Sequence, residues 1–160
     1  MRQNPDRKST ADNAYWMGLA LQQAKQAGQQ GEVPVGAVVV VEHRLIAAAG
    51  NSSISLADPT AHAEILALRQ ASKLLNNYRL PKASLYVTLE PCIMCMGAVM
   101  HARIERLIYG ADDPKTGAAR SVYQIGQDNR LNHHLDITAN ILAEECAQLL
   151  KNFFKERRNK

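Results

Sequence analysis

Asp58-Pro59-Thr60-Ala61-His62-Ala63-Glu64 and, thirty residues beyond His62, Pro91-Cys92-Ile93-Met94-Cys95 are the stretches on which the reading of this chain turns. Each lies between an apolar strand-like run and a helical pattern. Before the first come Val35-Gly-Ala-Val-Val-Val-Val41 and Arg44-Leu-Ile-Ala-Ala-Ala49, separated by a short polar break. They predict a hairpin of buried strands. A polar loop from Gly50 reaches Pro59, and a helix is expected from about Thr60 to Leu75. Pro81 closes the following turn. Ser84-Leu-Tyr-Val-Thr88 predicts a strand, Cys92 to His101 a short helix and Arg106-Leu-Ile-Tyr109 another strand.

Outward from this centre, Ala14, Met17, Leu21 and Ala24 repeat at helical spacing, with Asp12 as the expected cap and Gly28-Gln-Gln-Gly31 as the stop. The segment 114–132 reads as irregular. Leu135-Asp-Ile-Thr138 is a weak strand, and a long amphipathic helix runs from Ile141 to about Arg157. The order α-β-β-α-β-α-β-β-α predicts one α/β domain, with helices covering both faces of a mixed, largely buried sheet. The domain is expected to span 1–160, with about 1–11 a flexible tail.

At 46% hydrophobic residues the chain is no disordered protein. No apolar run is long enough to span a membrane, and the start leads into no signal-peptide core. A soluble cytoplasmic protein is the expectation. Three cysteines cannot build a disulfide framework. Cys146, in an apolar helix, reads as a buried small hydrophobe. The net charge is +4. The last ten residues hold five basic residues and one acid, so they carry the whole excess. With Phe153 and Phe154 interleaved, that end can meet phosphates and stack bases. A solvated helix end with two core aromatics is the equal alternative.

One histidine and two cysteines can supply three zinc ligands, His62, Cys92 and Cys95, leaving a fourth position for water. Cys92 and Cys95, at i and i+3, share a helix face. A helix N-terminus favours their thiolates. Two thiolates cancel the charge of Zn²⁺, so the metal acidifies its water less than a three-histidine site does, and a neighbouring base is needed. Glu64 fits that role. The competing arrangement is a closed structural site, with His101, His133 or His134 as fourth ligand.

His-x-Glu followed by Pro-Cys-x-x-Cys is the known signature of zinc-dependent nucleobase deaminases. Further anchors are Gly31-Glu-Val-Pro-Val-Gly-Ala37, Asn51, Asn77-Tyr-Arg-Leu80, Leu85-Tyr-Val-Thr-Leu-Glu-Pro-Cys92, Tyr109-Gly-Ala111, Lys115-Thr-Gly-Ala118, Asn132-His133 and Phe153-Phe154. From about Tyr15 to Arg158 the chain resembles the tRNA-specific adenosine deaminases of the TadA family, within the cytidine-deaminase-like superfamily. The resemblance implies a three-layer α/β/α fold with a five-stranded mixed sheet, and a homodimer. It implies one zinc per subunit on His62, Cys92 and Cys95, with Glu64 as proton shuttle. The implied reaction converts the wobble adenosine of a tRNA anticodon loop to inosine, through attack of zinc-bound hydroxide at adenine C6. Asn51 is then expected to bind the flipped adenine, and Asp113, Lys115, Asn132, Phe153 and Arg157 to lie near the anticodon stem-loop. Three stretches depart from the family pattern: 126–129, 52–55 and the acidic pair Asp112-Asp113.

Two other readings share parts of this pattern. A deaminase of free bases or nucleotides carries the same zinc signature. A non-catalytic, zinc-stapled RNA-binding subunit has no use for Glu64.

Overall fold

A computed structural model describes residues 10–159. The tail expected over 1–11 lies almost wholly outside the described residues, as does Lys160; the first helix already includes Thr10. The elements run α1 Thr10–Gln29, β1 Gly36–Val41, β2 Arg44–Gly50, α2 Ala63–Leu75, β3 Ala83–Leu89, α3 Ile93–His101, β4 Arg106–Ala111, β5 Asp136–Thr138 and α4 Ala143–Arg158. No helix or strand interrupts 112–135. This is the order expected from the sequence.

The five strands form one sheet in the order β2-β1-β3-β4-β5. β1 pairs antiparallel with β2 and β3, whereas β3, β4 and β5 are parallel. The β1–β2 turn is two residues, Glu42 and His43, both at positive φ. That backbone matches the right-handed twist of the strands it joins.

Side-chain alternation along each strand builds the two faces. Val38 and Val40 of β1, Tyr86 of β3 and Ile108 of β4 face Met17, Ala20 and Leu21 of α1 and Cys146 of α4. Their neighbours Ala37, Val39, Leu85, Val87, Leu107 and Tyr109 point the other way, against Ala67 and Ala71 of α2 and Met96 and Val99 of α3. The result is three layers, helix on sheet on helix. Cys146 is buried in the first of the two cores, as expected. Gly36 permits the closest helix–sheet approach, because a Cβ there would collide with the α1 backbone at Ala20.

The helix starts differ from the expected ones, with physical causes. α2 begins at Ala63, three residues later than Thr60. Asp58 Oδ1 accepts from both the N–H and the hydroxyl of Thr60 at 2.8 and 2.7 Å, so a local turn occupies that stretch. His62 is thus the N-cap, in extended backbone. α3 likewise begins after Cys92, its N-cap. Asp12 lies inside the first turn of α1, two residues after Thr10, and not at the helix boundary. In α4 the expected start at Ile141 shifts to Ala143, because Leu142 adopts a left-handed conformation.

Candidate active site

β3 feeds α3 and then β4 in a parallel strand–helix–strand unit, which places the start of α3 at the carboxyl end of the sheet. Ligand sites in open α/β sheets occupy that end. α2 returns from the edge strand β2 and brings its own N-terminus to the same place. The two N-caps, His62 and Cys92, and Cys95 in the first turn of α3 therefore converge.

Their donor atoms all lie within 4.8 Å of one another. His62 Nδ1 is 3.7 Å from Cys92 Sγ and 3.5 Å from Cys95 Sγ. Ligands about 2.3 Å (sulfur) and 2.0–2.1 Å (nitrogen) from a tetrahedral zinc stand roughly 3.5–3.8 Å apart. The spacing fits. No fourth His, Cys, Asp or Glu joins this group among the described residues. His133 is occupied elsewhere: its Nε2 lies 2.7 Å from the carbonyl oxygen of Ile104. The closed structural site therefore lacks its fourth ligand here.

The members of this group perturb one another's protons. The Cys95 thiol and His62 draw Cys92 down to about 4 against its burial. Cys92 and burial push Cys95 up. Cys92 also raises the imidazole of His62. A divalent cation bound by the two sulfurs and the imidazole would displace the protons they carry.

Glu64 is 4% exposed, in the first turn of α2 and in contact with the Cys95 thiol. Burial pushes its carboxyl up. A carboxyl raised by burial holds a proton more readily than an exposed one, which suits it to general acid–base work. Asn51, half-buried, accepts the N–H of Ala63 on Oδ1 at 2.8 Å. This ties the end of β2 to the start of α2 and leaves the Asn51 NH₂ group as a donor beside His62.

The other expected site residues form two outlying groups. Lys115 joins Leu150, Lys151, Phe154, Arg157 and Arg158 around a groove of about 580 Å³. Phe153 is half-buried, with the Arg157 guanidinium over its ring at 4.5 Å and Phe154 edge-on at 5.4 Å. Arg157 also donates to the carbonyl of Gly31, so it ties α4 to the α1–β1 turn. Phe154 is 46% exposed. The tail aromatics are thus neither core residues nor free. Asp113 spends its carboxylate inside its own turn, accepting from the N–H groups of Lys115 and Thr116 and the Thr116 hydroxyl. Asn132 lies apart from the basic groove, exposed beside the outer face of α3 near Ile93, Gly97 and Met100.

Sequence reasoning did not single out Glu32 and Glu90, buried carboxylates that brace the site's two walls. Glu32 accepts the N–H groups of Ile54 and Ser55 at 3.0 and 2.8 Å, pinning the loop after Asn51. Glu90 performs the corresponding task for the 113–121 segment. Burial opposes the charge of each, but the donated hydrogen bonds outweigh it and hold both below the usual carboxylate range. The available signal was a carboxylate placed close before a proline in an apolar stretch, as in Glu32-Val-Pro34 and Glu90-Pro91.

Comparison with known proteins agrees with this geometry. Residues 11–158 match the family described as MafB19-like deaminase. A tRNA-specific adenosine deaminase of Haemophilus influenzae is 53% identical over 143 residues, 89% of this chain and 83% of the relative. One from Bacillus subtilis is 44% identical over 151 residues, 94% of this chain and 93% of the relative. Among solved structures, one from work on A-to-I editing by tRNA:A34 deaminases at the wobble position superposes with a TM-score of 0.83. It is 47% identical and covers 85% of this chain and 99% of its own. A guanine deaminase of Nitrosomonas europaea superposes at 0.75 with 25% identity, covering 88% of this chain and 83% of its own. The shared five-stranded sheet, the open His-Cys-Cys group and these identities over most of the chain lead to one assignment: the chain is an enzyme and belongs to the tRNA-specific adenosine deaminase family.

Proposed function

We propose that this enzyme hydrolyses the wobble adenosine of a tRNA anticodon loop to inosine and ammonia, with one zinc per chain on His62, Cys92 and Cys95. The observation that carries the proposal is the buried carboxylate of Glu64 beside a three-donor group with an open side. A zinc ion there would supply a Lewis acid that lowers the pKa of water toward neutrality. Glu64 takes a proton from the attacking water and delivers it to a ring nitrogen of adenine, which makes C6 electrophilic. After attack at C6, Glu64 takes the remaining proton from the new C6 hydroxyl and passes it to the exocyclic nitrogen; the C6–N bond breaks, ammonia leaves and the C6 carbonyl of inosine forms.

Because Ala63 already occupies Asn51 Oδ1, only the NH₂ half of that amide is left to donate to a ring nitrogen of the flipped base. A base extruded from a loop requires a surface for the flanking strand. Lys115, Lys151, Arg157 and Arg158 around one groove, with Phe154 in its wall, support RNA over a free purine. Phe153 holds Arg157 in place, and Asp113 shapes the turn that presents Lys115. Asn132 is assigned to the RNA surface on the family resemblance alone. A homodimer rests on the same resemblance. A cytoplasmic, reducing setting rests on the cysteine usage; no helix among the described residues is long and apolar enough to cross a membrane.

The reading is tested by incubating purified protein with unmodified tRNA and analysing its nucleosides by mass spectrometry. Inosine at the wobble position is the expected product. Turnover of free guanine or adenosine with none on tRNA would favour the free-base reading.

The groove carries its own expectation. Lys115→Ala with Arg158→Ala weakens tRNA binding and lowers the salt slope by about 0.7–0.9 per lost phosphate contact. Arg157 is left intact because it also braces the fold. Isotherms at two salt concentrations decide it; unchanged affinity and slope would place the RNA elsewhere.

A further inference from the structure

Glu90 is 2% exposed and takes no part in the proton transfers. Its carboxylate accepts five hydrogen bonds from one segment. Oε1 accepts the Asp113 N–H at 3.0 Å and the Ser121 hydroxyl. Oε2 accepts the N–H groups of Ala119, Arg120 and Ser121 at 3.1, 2.9 and 3.0 Å. A second tie runs alongside: the Pro91 carbonyl accepts the Ala118 N–H at 2.8 Å. Gly117 lies against the carboxylate so closely that any Cβ would collide with it. The same segment contains Asp113, whose side chain fixes the backbone of Lys115, and Lys115 lines the basic groove.

We infer that Glu90 is a positioning residue for RNA recognition: it holds the 113–121 segment so that Lys115 faces the groove, and so couples that groove to Cys92, the N-cap of α3, two residues away. The inference rests on the tRNA reading above. A glutamine at 90 keeps one oxygen for the N–H groups of 119–121. Its NH₂ then meets the Asp113 N–H donor to donor, and the turn presenting Lys115 is released.

The experiment is a double-mutant cycle with Glu90→Gln, Lys115→Ala and the pair, on a stem-loop RNA carrying a wobble adenosine. Zinc content, Kd, KM and kcat are measured for each. Glu90→Gln should raise Kd and KM about tenfold, with kcat within about threefold of wild type and one zinc per chain, the pattern of lost uniform binding. Lys115→Ala should add nothing further on that background, since interacting residues are not additive. Additive effects in folded protein, or a loss confined to kcat, would overturn the inference. If Glu90→Gln does not fold, Gly117→Ala decides, because its methyl group displaces the segment while the carboxylate remains. The same rise in KM supports the inference, and an unchanged KM overturns it. A wild-type protein that deaminates no tRNA would instead defeat the underlying reading.

Discussion

Glu64→Gln yields a folded, zinc-loaded protein that no longer deaminates. Glutamine has nearly the shape of glutamate, and neither His62 nor the two thiols depends on the Glu64 charge for its place. His62 is held as the N-cap of α2 and the cysteines by the start of α3. What is lost is the proton carrier. General acid–base catalysis contributes roughly a hundred- to ten-thousandfold. Glu64 is assigned both proton relays of the turnover, so the loss is expected at or beyond the upper end of that range. Burial raises its carboxyl, and no other carboxylate joins the ligand group among the described residues, so no neighbour stands ready to substitute. Single-turnover kinetics with tRNA, paired with metal analysis, check the expectation. A variant within tenfold of wild type would assign the proton transfers to another group.

Cys92→Ala with Cys95→Ala removes the metal and destabilises the protein. Two of three donors disappear, and His62 alone cannot hold zinc in competition with water. Metal analysis should fall from one equivalent to nearly none. A ligand at a hundredfold excess over its Kd stabilises the folded state by about 2.7 kcal/mol. For a domain of this size each kcal/mol shifts Tm by roughly 2–4 °C. A fall of roughly 5–10 °C relative to zinc-loaded wild type follows from these figures. Treating wild type with a chelator should reproduce most of it. Cys146→Ala, buried between α4 and the sheet, should keep its full equivalent of zinc. Full retention by the double mutant would refute the ligand assignment.

The elements of the described residues were legible because the strands are apolar runs bounded by polar breaks and the helices repeat their apolar residues at helical spacing; β5, three residues long, gave only a weak signal. β1 alternates between two cores, and α2 and α4 are amphipathic. The convergence of His62, Cys92 and Cys95 was legible because residue type and spacing at two helix starts point to it. The exact first residues of the helices were not, because Asp58 and Thr60 form a turn that competes with the helix for the same backbone. The braces were not legible either. Glu90 meets partners 23 to 31 residues away, and Glu32 meets partners 22 and 23 away. Those partners are mostly backbone N–H groups, which every residue except proline possesses and no sequence pattern marks. The two phenylalanines of the tail allowed core or surface with equal force. Arg157, stacked on Phe153 and tied to Gly31, gives them a third role as the brace of a basic edge.

The same property that hid Glu32 and Glu90 gives the scaffold its freedom to vary. A carboxylate that grips main-chain amides is indifferent to the side chains those amides carry. At the exposed positions 54, 55 and 120 almost any residue could be exchanged and the grip would hold; proline alone would break it, having no N–H to give. At Ser121 a hydroxyl also enters the Glu90 clasp. The site's walls therefore keep their course while their surface is rewritten, so a change in what the enzyme reads need not disturb how the wall is anchored.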